Sequence, residues 1–144
     1  MKPVRAFIIA LAALLLASAG RADPGEDLYA GRLPIEARLR GDARVLAQAT
    51  ARCANCHEPR PQSLAEPAYA PRLDKTSLAT SMPRRGGPAS IYDEQSFCRL
   101  LREGIDPAHM LLRRSMPLFA ADDAQCASLW QYLSQRSAPA TGSK

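Results

Sequence analysis

Five consecutive residues, Cys53-Ala54-Asn55-Cys56-His57, limit this chain more than anything else in it. Two thiols three positions apart, followed at once by an imidazole, form the pattern of a covalent c-type haem attachment site. Each cysteine sulfur adds across one vinyl group of a porphyrin, and the turn between them spans one edge of the ring. The adjoining imidazole then binds the iron axially. The same spacing serves two other chemistries. A thiol oxidoreductase uses Cys-x-x-Cys, and a zinc site uses it with a nearby histidine. The rest of the chain has to distinguish the three.

The beginning of the chain reads as an export signal. Lys2 and Arg5 precede an unbroken apolar run, Ala6 to Ala17, of about twelve residues, too short to cross a bilayer comfortably; the alternative is a retained membrane anchor. Small residues follow, and cleavage is expected after Ala22, with Ala19 as the other acceptable site. Residues 1–22 are therefore assigned as a signal peptide. The mature protein is expected in the periplasm, an oxidising compartment, with no membrane span. Lys2, Arg5 and Arg21 leave with the signal, so the formal charge falls from +5 to +2, with 16 basic against 14 acidic residues. No interleaving of basic and aromatic residues accompanies that charge, so nucleic acid is not expected as a partner.

About 122 residues remain, enough for one domain. Residues 23–40 read either as an N-terminal arm packed on the domain or as an extended tail with little role; Gly25 to Gly31 can make one helical turn before Leu33-Pro34. The domain proper is expected over 41–136, with a disordered tail at 137–144. Asp42 predicts a capped helix to about Arg52, with Val45, Leu46 and Ala49 on one face, leading straight into Cys53. Pro59, Pro61, Pro67 and Pro71 forbid a long helix after His57. Pro71, fourteen residues on, is the candidate to offer a backbone carbonyl to the other imidazole nitrogen, the alternative being a surface turn. Ser81 to Ser90 reads as loop, because Met82-Pro83-Arg84-Arg85-Gly86-Gly87-Pro88 is rich in breakers. Asp93 caps a helix to about Glu103 with Phe97, Leu100 and Leu101 inward and Gly104 as its stop. Asp122 and Gln125 form a capping box on the last helix, whose buried stripe is Cys126, Leu129, Trp130 and Leu133. No strand-like alternation is seen, so the expectation is all-α: about three principal helices with long loops around one covalently bound haem.

A haem iron held by His57 has a sixth position to fill. Met82, His109, Met110 and Met116 are the candidates. Met116 is preferred, because Pro117 stiffens its loop just before the last helix, and thioether ligation favours the reduced state. His109 is next; otherwise it is a solvated loop residue. Cys98 and Cys126 lie outside the motif on separate predicted helices. They are either a disulfide, worth on the order of 3 kcal/mol, or two buried free thiols. Arg84, Arg85, Arg99, Arg102, Arg113 and Arg114 tint the second half basic. Either Arg113 and Arg114 steer an acidic redox partner or the run is a solvated face.

With these pieces in place the sequence resembles a monohaem class I-type cytochrome c, bacterial and exported. The matching residues are CANCH at 53–57, Pro71 with Leu73, Gly104, Ile105-Asp106-Pro107, Leu112, Ser115-Met116-Pro117 and Leu129-Trp130-Gln131-Tyr132-Leu133, spanning roughly Gly41 to Arg136. Leu28 to Pro34 also resembles the lead-in of a bacterial cytochrome c subgroup. The resemblance implies thioethers at Cys53 and Cys56, axial ligands His57 and Met116, crossing first and last helices, and Trp130 near one haem c. Two departures stand out: Glu58-Pro59-Arg60-Pro61 replaces the usual glycine after the motif, and the stretch from Leu73 to Ser90 is unusually basic. The function implied is electron transfer to and from redox partner proteins, not enzymatic turnover, as a free carrier or a cytochrome subunit of a redox enzyme. The alternatives are a haem-based ligand sensor or catalytic haem protein with a labile sixth ligand, and a haem-free thiol or zinc protein.

Overall fold

Aspartate caps and left-handed glycines set the ends of the helices. The computed structural model describes residues 23–58 and 70–137. The signal segment 1–22, the stretch 59–69 with three of the prolines noted above, and residues 138–144 lie outside the described residues. The first helix, α1 (Pro24–Ala30), starts on Asp23, whose side chain accepts from the Gly25 amide at 2.8 Å, and stops at Gly31 with φ 75°. The last, α5 (Asp123–Gln135), starts on Asp122, and the Asp122/Gln125 capping box closes in both directions. Between them come α2 (Ala54–His57), α3 (Lys75–Ala79) and α4 (Glu94–Glu103). Asp74 with Ser77 and Asp93 with Ser96 box the starts of α3 and α4, and Gly104, at φ 71°, ends α4. Each such cap contributes about 1 kcal/mol.

Helix α5 is the hub: α1, α3 and α4 all pack on it. Cys126, Leu129 and Leu133 are its buried residues, each at most 1% exposed. A disulfide joins Cys126 to Cys98 of α4, with the two Cα atoms 5.6 Å apart. Phe97 of α4 meets Trp130 at a ring separation of 5.7 Å, and Tyr29 of α1 meets Tyr132 at the same distance. At the α1–α5 crossing Gly25 lies on the backbone of Ser128. A Cβ built on Gly25 would overlap the Ser128 carbonyl and lie 2.6 Å from Cβ of Tyr132.

The all-α expectation does not hold. About 38% of the described structure is helix and 11% strand, in five helices and two small antiparallel sheets. One sheet pairs β1 (Ala37–Arg38) with β4 (Leu118–Phe119), Ala37 opposite Phe119. The other is a hairpin of β2 (Met82–Pro83) and β3 (Ala89–Ser90), Met82 opposite Ser90. Two residues per strand show no alternation, so the sequence carries no periodic signal for them. The stretch read as pure loop turns tightly instead. Arg85 and Gly86 both take positive φ, 49° and 79°, and the Gly87 amide donates to the Arg84 carbonyl at 2.7 Å. Two central residues at positive φ match the twist of a hairpin.

The helix expected from Asp42 to Arg52 is also absent. Asp42 spends its carboxylate on the Arg44 amide, at 3.0 Å, and on the Arg44 guanidinium. Val45 bridges Arg38, and the Leu46 amide donates to the Ala37 carbonyl at 2.8 Å. The segment's hydrogen bonds thus go to β1, and three apolar residues are too weak a face to win them back. In consequence α1, not a helix at 42–52, is what crosses the last helix.

The crossing predicts a sharp steric response. Gly25→Ala should lose about 1–3 kcal/mol by overpacking against backbone that cannot move aside. Urea unfolding followed by Trp130 fluorescence measures it. A stability equal to the parent's would mean that α1 does not seat this closely.

Candidate functional site

The site begins with the single turn α2. The His57 amide donates to the Cys53 carbonyl at 3.0 Å, and the Cys56 amide to the same carbonyl at 3.2 Å. That turn puts Cys53 and Cys56 one helical turn apart on one face. Both are free thiols, Cys53 half-buried and Cys56 exposed. They line, with His57, a cavity of about 640 Å³. Its walls are apolar: Leu73 and Leu78 from around α3, Phe97 and Leu101 from α4, Leu129 and Leu133 from α5. This volume lies within the range of about 300–1,000 Å³ common for sites that enclose organic ligands.

His57 is buried, with 8% of its surface exposed. Its Nδ1 lies 2.6 Å from the Pro71 carbonyl, the carbonyl proposed from sequence. A carbonyl only accepts, so Nδ1 carries the proton and Nε2 is left with its lone pair. Nε2 is buried and has no hydrogen-bond partner among the described residues. Burial lowers the imidazole's pKa, and the Pro71 carbonyl opposes that shift without reversing it. The ring is thus held neutral, with one nitrogen tied down and the other unsatisfied. Burial also pushes the Cys53 thiol up to about 11. Thiol exchange wants the opposite shift, toward an accessible thiolate, so a redox-active dithiol is poorly served here. Among the described residues, no group of three or more His, Cys, Asp and Glu is placed to hold a metal ion.

The remaining candidates separate cleanly. Met116 lines the cavity, half-buried, with its amide donating to the Arg113 carbonyl at 3.0 Å. Met82 lines it as well, from β2. His109 and Met110 do not. His109 is exposed, at φ 59°, in the turn that follows Asp106, and Met110 packs beside Gly87. Trp130 lies against Phe97, and Phe97 forms the wall instead. The donor set that the structure brings to one cavity is therefore two thiols, one imidazole nitrogen and one or two thioethers. These residue types suit a covalently attached haem.

Two supports were not assigned from sequence. Asp106 is fully buried; its Oδ1 accepts from the amides of Ala108 (3.0 Å) and Met110 (2.8 Å), and its Oδ2 from Arg85 at 3.1 Å. It ties the β2–β3 hairpin to the loop after α4. Asp followed by Pro is a turn-initiating pair, so Asp106-Pro107 announced the turn but not the partner. Glu58, where the resemblance leads one to expect glycine, pairs with Arg136 at 2.6 Å. The Arg136 guanidinium lies over Tyr29 at 4.9 Å and Tyr132 at 5.8 Å. This cluster fastens the end of α2 to the end of α5.

Comparison with protein-family models, with curated proteins and with solved structures returns no match. Among the described residues no helix is long and apolar enough to cross a membrane.

Asp106 can be tested in two steps. Asp106→Ala orphans two amides and should cost about 1–3 kcal/mol. Asp106→Asn keeps an acceptor for both and should cost less. Urea midpoints of the two variants give the order, and equal losses would show that charge alone matters.

Proposed function

We propose that the chain is an exported, periplasmic electron-transfer protein carrying one covalently attached haem c, like the monohaem class I cytochromes c that its site residues resemble. Cys53 and Cys56 supply the two thioethers, His57 one axial ligand and Met116 the other. The observation that carries this reading is the buried, unpartnered Nε2 of His57 on a cavity that two free cysteines also line. Buried polar atoms are nearly always paired, and one left over calls for an occupant. An iron centre satisfies it, and the Pro71 carbonyl at 2.6 Å both orients the ring and raises its basicity.

When bound, the haem supplies a one-electron couple. The chain does the rest. The apolar walls exclude water, the α2 turn fixes the ring edge, and Pro117 stiffens the backbone behind Met116. With His57 and Met116 both holding it, such a haem would offer no open place to a substrate. The protein would then pass electrons without making bonds, as a free carrier or as the cytochrome subunit of a redox enzyme. Arg113 and Arg114 are exposed beside the Met116 loop and suit an acidic redox partner.

Protein purified from the periplasm of a host that matures c-type haems should give a c-type pyridine haemochrome with one haem per chain. Failure to do so sinks the reading. Met116→Ala should lose the red-end band of Met-ligated ferric haem and bind carbon monoxide rapidly when reduced. Rapid binding by the parent protein would shift the reading to a ligand-sensing or catalytic haem protein.

A further inference from the structure

The cavity wall has a one-sided charge. Among the described residues five arginines line it, Arg52, Arg72, Arg84, Arg85 and Arg113, and no aspartate or glutamate does. An apolar chamber with cations and no carboxylates on its walls suits a ligand with an apolar body and acidic groups.

The five are not equivalent. Arg72 sits 3.4 Å from Asp74, and Arg85 sits 3.1 Å from Asp106, so both charges are already matched. Arg52 and Arg113 are exposed; the stem of Arg52 lies along Gly31. Arg84 is different. It is half-buried and forms no ion pair among the described residues. Its Nη2 donates to the Thr80 carbonyl at 3.2 Å, and its guanidinium lies 4.8 Å from the ring centroid of Tyr92. Those two contacts fix its orientation. Its Nε is buried and has no hydrogen-bond partner among the described residues. A buried N–H of a charged group left unsatisfied is costly, and a carboxylate on the ligand removes that cost.

We infer that Arg84 receives a carboxylate of the cavity's ligand, which on the haem reading above is a propionate. The inference rests on that reading. The hairpin turn serves it: Arg85 at left-handed φ is anchored on Asp106, which leaves its neighbour Arg84 to serve the cavity wall. The charged and titratable groups around Arg84 are Arg85, Asp106 and Tyr92. The Tyr92 phenol is raised by burial and stays neutral around pH 7. A guanidinium beside a propionate keeps it ionised in both oxidation states. Without it, the propionate takes up a proton more readily when the iron is reduced, and the midpoint potential becomes pH-dependent.

The test uses the exported holoprotein and Arg84→Gln, Arg84→Lys and Lys75→Gln. Lys75 is exposed and does not line the cavity, so its variant controls for loss of one positive charge. Haem per chain is read from the pyridine haemochrome, and the midpoint potential is followed from about pH 5 to pH 8. Arg84→Gln should keep its haem, show a lower midpoint at the alkaline end, and fall with rising pH where the parent is flat. Arg84→Lys should fall between them, and Lys75→Gln should follow the parent. A haem-loaded Arg84→Gln with the parent's midpoint and slope overturns the inference, as does an equal shift in Lys75→Gln. A haem-free parent overturns the cofactor reading itself, and a haem-loaded parent separates that failure from this one.

Discussion

The crossing of α1 on α5 at Gly25 is the contact from which the other walls hang. Only a residue without a side chain lets the two backbones approach this closely. Because α5 also receives α3 and α4, its position sets where Leu129, Leu133, Phe97 and Leu78 stand, and these residues bound the cavity. The disulfide at Cys126 and the Arg136–Glu58 pair then secure α5 at both ends, the first to α4 and the second to the end of the motif turn. A chain this size spends much of its core on lining a large chamber. Capping boxes, one disulfide and partly buried ion pairs add to what the remaining packing gives.

The loops are held by long-range polar contacts instead of by periodic structure. Arg40 donates to the carbonyls of Leu112 and Gly104, both at 3.2 Å, and Arg114 donates back to the Arg40 carbonyl at 3.0 Å. Arg85 and Asp106 do the same for the hairpin. These contacts place the Met116 loop, α2 and the hairpin around one chamber although they are far apart in the chain. The imidazole is the only buried ring nitrogen there that is both oriented and unsatisfied, which is why the electron-transfer reading turns on it.

What was legible in the sequence was local. Asp93, Asp122 and Gly104 announced the ends of α4 and α5 because capping chemistry acts over three or four residues. That Cys53, Cys56 and His57 share one short turn was legible for the same reason, and so was the turn ending at Gly31. The failures came where distant partners decided the outcome. Asp42 looked like a helix cap, but its segment gave its hydrogen bonds to Ala37 and Arg38, themselves held by Leu118 and Phe119. Trp130 sat on the right helix face, yet Phe97 stands between it and the chamber. Arg84 and Asp106 carried no local signal of their roles. Arg84 depends on Tyr92 across the hairpin, and Asp106 on an arginine 21 positions away.

The disulfide also bears on how the chain matures. Four cysteines admit three complete pairings, and each of the two that cross-link helix and motif would consume both thiols of the α2 turn. Docking α4 on α5 brings Cys98 and Cys126 into register and leaves Cys126 with no exposed surface. Once sealed there, that sulfur is beyond the reach of Cys53 and Cys56, so folding of the helix pair itself sorts structural sulfur from reactive sulfur. A chain that formed its α2 turn before its last two helices met would lack that protection.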